Sequence, residues 1–94
     1  MKTTNYEISK QLEEARFKEN QVWNQEGQFW GYDLETILEA LPKDIEGDYL
    51  AVEFDPSESC VGYNGLHIAF MDKNESLANT AAKLWLKLKK EGLV

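Results

Sequence analysis

The segment from Leu77 to Leu88 constrains the fold of this chain most strongly, because its apolar residues cover an unusually wide part of a helix. At helical spacing they span an arc of about 200°, roughly twice the apolar stripe of an ordinary surface helix. Lysines occupy most of the remaining surface, and Gly92 is suited to a left-handed helix C-cap. We therefore expect a C-terminal helix that is wedged between two apolar surfaces, which the rest of the chain must supply.

Two earlier segments also have helical spacing. The first runs from about Asn5 to Arg16 and follows a capping box, in which Thr4 precedes a glutamate by three positions. The second is short, since Asp33 can cap its start and Pro42 disfavours helical backbone at the residue before it. Its apolar stripe, which we expect in the core, consists of Leu34, Ile37, Leu38 and Leu41.

Period-two alternation predicts strands in two parts of the chain. In the first part, Glu26-Gly27 forms the turn of a predicted hairpin that places Trp23 opposite Trp30. In the second part we expect three sequential strands, the last two joined by a turn at Asn64-Gly65. These three strands cover Asp48 to Asp55, Cys60 to Tyr63 and Leu66 to Met71, and their predicted core positions are Leu50, Val52, Phe54, Leu66, Ile68 and Phe70.

Together these elements predict a single α+β domain that spans residues 1–94. The predicted order is α-ββ-α-βββ-α. Three helices are expected to pack on one antiparallel sheet of about five strands, because strands joined by tight turns pair with their neighbours.

The charge of the chain excludes one class of partner. The net charge is −7, and between Asp33 and Glu58 nine acidic residues accompany a single base, Lys43. An acidic surface repels phosphates, so we exclude nucleic acid as a partner. Two interpretations of this surface remain open: a solvated face that maintains solubility, or a mimic of nucleic-acid phosphates that blocks a basic groove on another protein.

The sequence also predicts a cytoplasmic location. Its longest apolar runs are far shorter than the roughly 20 residues needed to cross a bilayer, so we expect no membrane association. The N-terminal segment has no apolar signal-peptide core, and the single cysteine, Cys60, cannot form an internal disulfide.

The residues give no sign of catalysis, a metal or a cofactor. One cysteine and one histidine cannot supply the ligands of a zinc site, and the glycines form no phosphate-binding loop. Cys60 and His67 could approach each other, but a nucleophilic pair would also need an orienting group and an oxyanion hole. We therefore predict that the protein is not an enzyme and has no catalytic residues, metal or cofactor.

Aromatic residues concentrate in the predicted hairpin. Its register places Trp23, Trp30 and Tyr32 on one face, with Val22 and Phe29 on the other. Three interpretations of the tryptophan face remain open: packing under a helix, a contact surface for a partner or a second copy, or a pocket that stacks on a ligand ring.

A second candidate surface is the semi-apolar face of the predicted sheet that carries Tyr49, His67 and Met71, together with Ala51 and Ala69. Such a face is commonly buried by a partner or a second copy, so we predict self-association. The complete set of candidate binding residues is Trp23, Trp30, Tyr32, Glu35, Glu39, Tyr49, His67 and Met71.

Two stretches, Tyr32 to Pro42 and Asn74 to Gly92, resemble small uncharacterised proteins that bacteriophages and prophages encode. The resemblance implies a phage or prophage context inside a bacterial cell, but it carries over no functional residue. In that context we expect a non-catalytic protein-binding module that acts on a host or phage factor. The alternative is a binder of a small, nucleotide-like ligand through Trp23 and Trp30.

Overall fold

The computed structural model describes residues 3–45, 47–55, 58–63, 68–73 and 77–94. Within these residues three helices and seven short strands alternate as an α+β fold, in the predicted order but with one additional hairpin. The helices are α1 (Tyr6–Glu14), α2 (Leu34–Ala40) and α3 (Leu77–Lys90). The strands are β1 (Val22–Asn24), β2 (Phe29–Gly31), β3 (Asp44–Ile45), β4 (Asp48–Tyr49), β5 (Ala51–Asp55), β6 (Glu58–Tyr63) and β7 (Ile68–Lys73).

The described strands do not form the single sheet that the sequence predicted. They form three antiparallel sheets, in the orders β1-β2, β3-β4 and β5-β6-β7. Strand β2 packs on α1, whereas β6 and β7 pack on α3, and α1 in turn packs on α3. The N-terminal residues also pair with the end of this hairpin: Thr3 bridges Asp33, and the Thr4 amide donates to the Tyr32 carbonyl at 2.9 Å.

Helix α3 has the central position that its wide apolar arc predicted. It contacts α1 and α2 as well as β6 and β7, and both Leu84 and Leu88 are fully buried. The left-handed C-cap is also confirmed, since Gly92 has φ of 76° and the Leu93 amide donates to the Leu88 carbonyl at 2.9 Å.

The N-cap of α2 is the residue that the sequence predicted, whereas the N-cap of α1 is a different residue. Asp33 caps α2 and accepts a hydrogen bond from the Thr36 amide at 2.8 Å, as predicted. The predicted capping box at Thr4 is wrong, because Asn5 caps α1. The Thr4 hydroxyl is buried and serves tertiary structure, lying 2.6 Å from the Ser9 hydroxyl and accepting from the Tyr32 amide.

The predicted strand from Asp48 to Asp55 is two strands. Tyr49 pairs back with Asp44 in the hairpin β3-β4, which turns at Gly47 with φ of 90°. The Leu50 amide donates to the Lys43 carbonyl at 2.9 Å, and β5 begins one residue later. Large apolar residues recur at every second position in this segment, so the alternation gave no sign that the strand is divided.

The pairing of β6 with β7 differs from the predicted two-residue turn. Tyr63 pairs with Ile68, which leaves the four residues 64–67 between the strands. The predicted Asn64-Gly65 turn and Leu66 lie outside the described residues. The side chains of Phe54, Ile68 and Phe70 are likewise not described.

The core contains aromatic residues that were not among the core positions predicted from the sequence. Phe17 lies between Tyr32 and Trp85, with ring-centroid distances of 4.9 and 4.8 Å in edge-to-face contacts. Strand β6 contributes Val61 and Tyr63, both fully buried. Among the predicted core positions, Ile37 and Leu41 are buried, whereas Leu34, Leu38 and Leu50 are only partly buried and Val52 is exposed.

Candidate functional site

The pair of tryptophans on the first hairpin is the clearest surface feature of the protein. The predicted register is confirmed: Trp23 pairs with Trp30, and their rings meet edge to face with centroids 5.3 Å apart. Their exposed fractions are 45% and 55%, so this face is not covered by a helix. Of the three interpretations of the tryptophan face, packing under a helix is wrong.

The hairpin holds this register through Asn24, although the predicted tight turn is wrong. The connection spans residues 25–28, and the Asn24 carbonyl accepts from the Gln28 amide at 2.8 Å. The Asn24 side chain accepts from the Gly27 amide and donates to the Thr3 hydroxyl, at 2.9 and 2.8 Å. A Cβ atom at Gly27 would lie 2.4 Å from the Phe29 ring, so glycine is required for this close approach.

Helix α1 runs beside the hairpin and forms a groove with it. Tyr6, which is 59% exposed, meets Phe29 edge to face with centroids 5.9 Å apart. The groove has a volume of about 330 Å³. We call it the aromatic groove, and its lining residues are Tyr6, Ser9, Lys10, Glu13, Trp23, Gln28, Phe29 and Trp30.

Tyr32 does not belong to this groove, contrary to the prediction. Strand β2 ends at Gly31, and the Tyr32 side chain is buried against Phe17. Burial raises the pKa of the Tyr32 hydroxyl above its ordinary value of 10.0, the charge of Glu13 acts in the same direction, and a hydrogen bond with Gln21 opposes both. Tyr32 is therefore a core residue.

A second groove brings together three of the predicted binding residues, Glu35, Glu39 and Tyr49. It lies between α2 and the segment that leads into β5, with a volume of about 480 Å³. We call it the α2 groove, and its lining residues are Leu34, Glu35, Leu38, Glu39, Lys43, Tyr49, Leu50 and Val52.

The α2 groove exists because α3 does not cover the whole sheet. Val52 pairs with Val61 and therefore points to the same face, but Val61 is fully buried and Val52 is 40% exposed. Helix α3 packs on β6 and β7, which leaves the edge strand β5 uncovered. Sequence alternation identified the face of Val52 correctly but could not show how far the covering helix extends.

Tyr63 ties the sheet to the segment that follows α2. Its hydroxyl donates to the Pro42 carbonyl, and its ring is fully buried. Burial raises the pKa of the Tyr63 hydroxyl, and the charge of Asp44 raises it further. This contact fixes the chain at one end of the α2 groove.

The predicted sheet face that joins Tyr49 to His67 and Met71 does not form within the described residues. Tyr49 lies in β4, outside the three-stranded sheet, and is 77% exposed, so the predicted face joining it to His67 and Met71 is wrong for Tyr49. His67 lies outside the described residues, and so does the side chain of Met71.

The described residues contain no group of three or more metal-ligating side chains that could hold an ion. None of the described helices combines the length and apolar character that a membrane span requires. The chain matches no protein-family model, and no curated protein or solved structure is significantly similar to it.

Proposed function

We propose that this protein is a non-catalytic binding module of phage or prophage origin, which binds a host or phage protein through the aromatic groove. The observation that carries the proposal is the exposed pair Trp23 and Trp30. Tryptophan is enriched among the residues that dominate binding energy at protein interfaces, and such residues cluster together. The resemblance of Tyr32 to Pro42 and of Asn74 to Gly92 to phage proteins supports the cellular context.

The geometry favours a protein partner over a small ligand. Small-ligand sites usually enclose most of the ligand surface, whereas about half of each tryptophan here is open to solvent. The two rings also meet at 66°, so they do not form the parallel walls that would enclose one planar ring. An open aromatic surface beside α1 is suited to the side chains of a protein.

A small, nucleotide-like ligand remains the second candidate, and one observation favours it. The volume of the aromatic groove, about 330 Å³, lies at the lower end of the range for small-molecule sites, and Lys10, Glu13 and Gln28 supply polar groups. Titration with adenosine and guanosine nucleotides, followed by tryptophan fluorescence, separates the two candidates. Saturable quenching that Trp30→Ser abolishes would favour the ligand.

The proposal is tested by affinity capture from a bacterial lysate with the immobilised chain. We expect a protein that the wild type retains and that the double variant Trp23→Ser/Trp30→Ser loses. Leu93→Ser is the matched control, because Leu93 is also an exposed apolar side chain but lies beyond α3. Retention by the double variant would contradict a role of the tryptophans.

A further inference from the structure

The α2 groove has an apolar floor that the fold leaves open. Leu34 and Leu38, one turn apart on α2, are only partly buried, and Val52 faces them from the uncovered strand β5. The same face of the sheet is covered by α3 at the neighbouring strand β6, where Val61 is fully buried. The groove therefore lies over the part of this sheet face that α3 leaves open, with α2 along its side.

The rim of the groove is acidic. Glu35 and Glu39 are one turn apart on α2, both are exposed, and no ion pair to either forms within the described residues. Asp44, also exposed, is a third carboxylate in the neighbouring hairpin, outside the groove lining. Among the described residues that line the groove, Lys43 is the one base. This rim attracts basic side chains on an approaching partner.

We propose that the α2 groove binds an amphipathic helix of another protein, one with lysine or arginine on both sides of its apolar stripe. A helix suits the site because it would lie beside α3 on the sheet and complete the helical layer over β5. Its apolar stripe would contact Leu34, Leu38 and Val52, and its basic residues would pair with Glu35 and Glu39. This site is separate from the aromatic groove and shares no lining residue with it.

The test uses three synthetic peptides of about 18 residues, long enough to form a helix when bound. The first has leucines at i, i+3, i+4 and i+7 with lysines on both flanks. The second has the same composition in strict alternation, and the third replaces lysine by glutamate. We expect the first alone to bind, with methyl NMR shifts at Leu34, Leu38 and Val52. Binding of the alternating peptide to the same methyl groups would overturn the helix in favour of an added strand.

Charge variants separate the site from general attraction to an acidic protein. We expect Glu35→Lys/Glu39→Lys to weaken binding of the first peptide at least tenfold, as for charge pairs at protein interfaces. The matched variant Glu14→Lys/Glu19→Lys changes the net charge equally at exposed positions outside the groove, and we expect a loss below about twofold. Equal losses in both variants would overturn the proposal.

Two further variants keep the test decisive if charge reversal destabilises α2. Glu35→Gln/Glu39→Gln preserves side-chain size, and we expect a smaller loss in the same direction. Val52→Ser leaves the charge unchanged, and we expect a loss of about fivefold, because it removes apolar contact from the floor. Unchanged binding of the first peptide in both of these variants would overturn the proposal. Unchanged binding in Trp23→Ser/Trp30→Ser, in contrast, is expected, since it shows that the α2 groove acts independently of the aromatic groove.

Discussion

At the scale of single residues, Leu84 is the most direct probe of the core. It is fully buried on α3, the helix that contacts α1, α2 and the three-stranded sheet. We expect Leu84→Ala to lower the free energy of unfolding by about 2 to 5 kcal/mol, since it removes apolar contacts and leaves a cavity. Urea denaturation measures this change, and a loss below about 1 kcal/mol would contradict the placement of α3 at the centre.

The two buried tyrosines predict how stability depends on alkaline pH. Burial raises the pKa of both Tyr32 and Tyr63 in the folded chain. Above the ordinary value of about 10, the unfolded chain releases these protons more readily than the folded chain does, so the free energy of unfolding falls as the pH rises towards the folded pKa. Below that value these groups make no pH-dependent contribution.

Urea midpoints between about pH 8 and pH 11 measure this effect. We expect Tyr32→Phe and Tyr63→Phe each to make the alkaline decline shallower. At neutral pH, Tyr63→Phe should also cost about 1 kcal/mol, because the Pro42 carbonyl loses its donor. Tyr49→Phe is the control, since this side chain is exposed. A decline as steep in both core variants as in the wild type would contradict the effect of burial.

The sequence revealed the residues of the aromatic groove only in part. Alternation placed Trp23 and Trp30 on one face, and that is observed. Extending this alternation to Tyr32 gave a wrong prediction, because β2 ends one residue earlier and the Tyr32 side chain is buried in the core. The contribution of Tyr6 was missed because it lies on α1, and only tertiary packing brings it to Phe29.

At the scale of elements, the Asn24 side chain links the hairpin β1-β2 to its own loop and to the N-terminal segment. We expect Asn24→Ala to lower the free energy of unfolding by about 1 to 2 kcal/mol, since it removes the hydrogen bonds to Gly27 and Thr3. The exposed neighbour Gln25, substituted by alanine, is the control. Equal unfolding free energies for the two variants would show that Asn24 does not hold the hairpin.

The elements were more predictable than their assembly. Helical stripes and caps encode local preferences, so the extent of α2 and the C-cap at Gly92 followed from the sequence. The division of the strands into three sheets did not, because alternation defines the two faces of a strand and does not identify its partner. For the same reason the hairpin β3-β4 was predicted as part of a longer strand.

At the scale of the whole molecule, the second face of the three-stranded sheet predicts self-association. Val61 and Tyr63 point to the face that α3 covers. The opposite face of β5 and β6 carries the half-buried Ala51 and Cys60, and the register places Glu53 across from Cys60. A semi-apolar sheet face of this kind is commonly buried by a second copy. We expect light scattering at high micromolar concentration to give a dimer mass, and a monomer mass there would contradict this prediction.

The acidic character of the molecule predicts how it meets its partner. With a net charge of −7, association with a basic partner should be accelerated at long range, and the association rate should fall steeply as salt is added. Stopped-flow measurements at several salt concentrations test this. A rate that does not change with salt would favour the interpretation of the acidic surface as a solvated face.

The central claim is that the exposed tryptophan pair binds a protein partner, and a calorimetric titration with the captured partner tests it most directly. We expect Trp23→Ser/Trp30→Ser to raise the Kd at least about a hundredfold, since two neighbouring interface residues of this kind each contribute about 2 kcal/mol or more. Leu93→Ser should leave the Kd unchanged. A Kd of the double variant within about twofold of the wild-type value would contradict the claim.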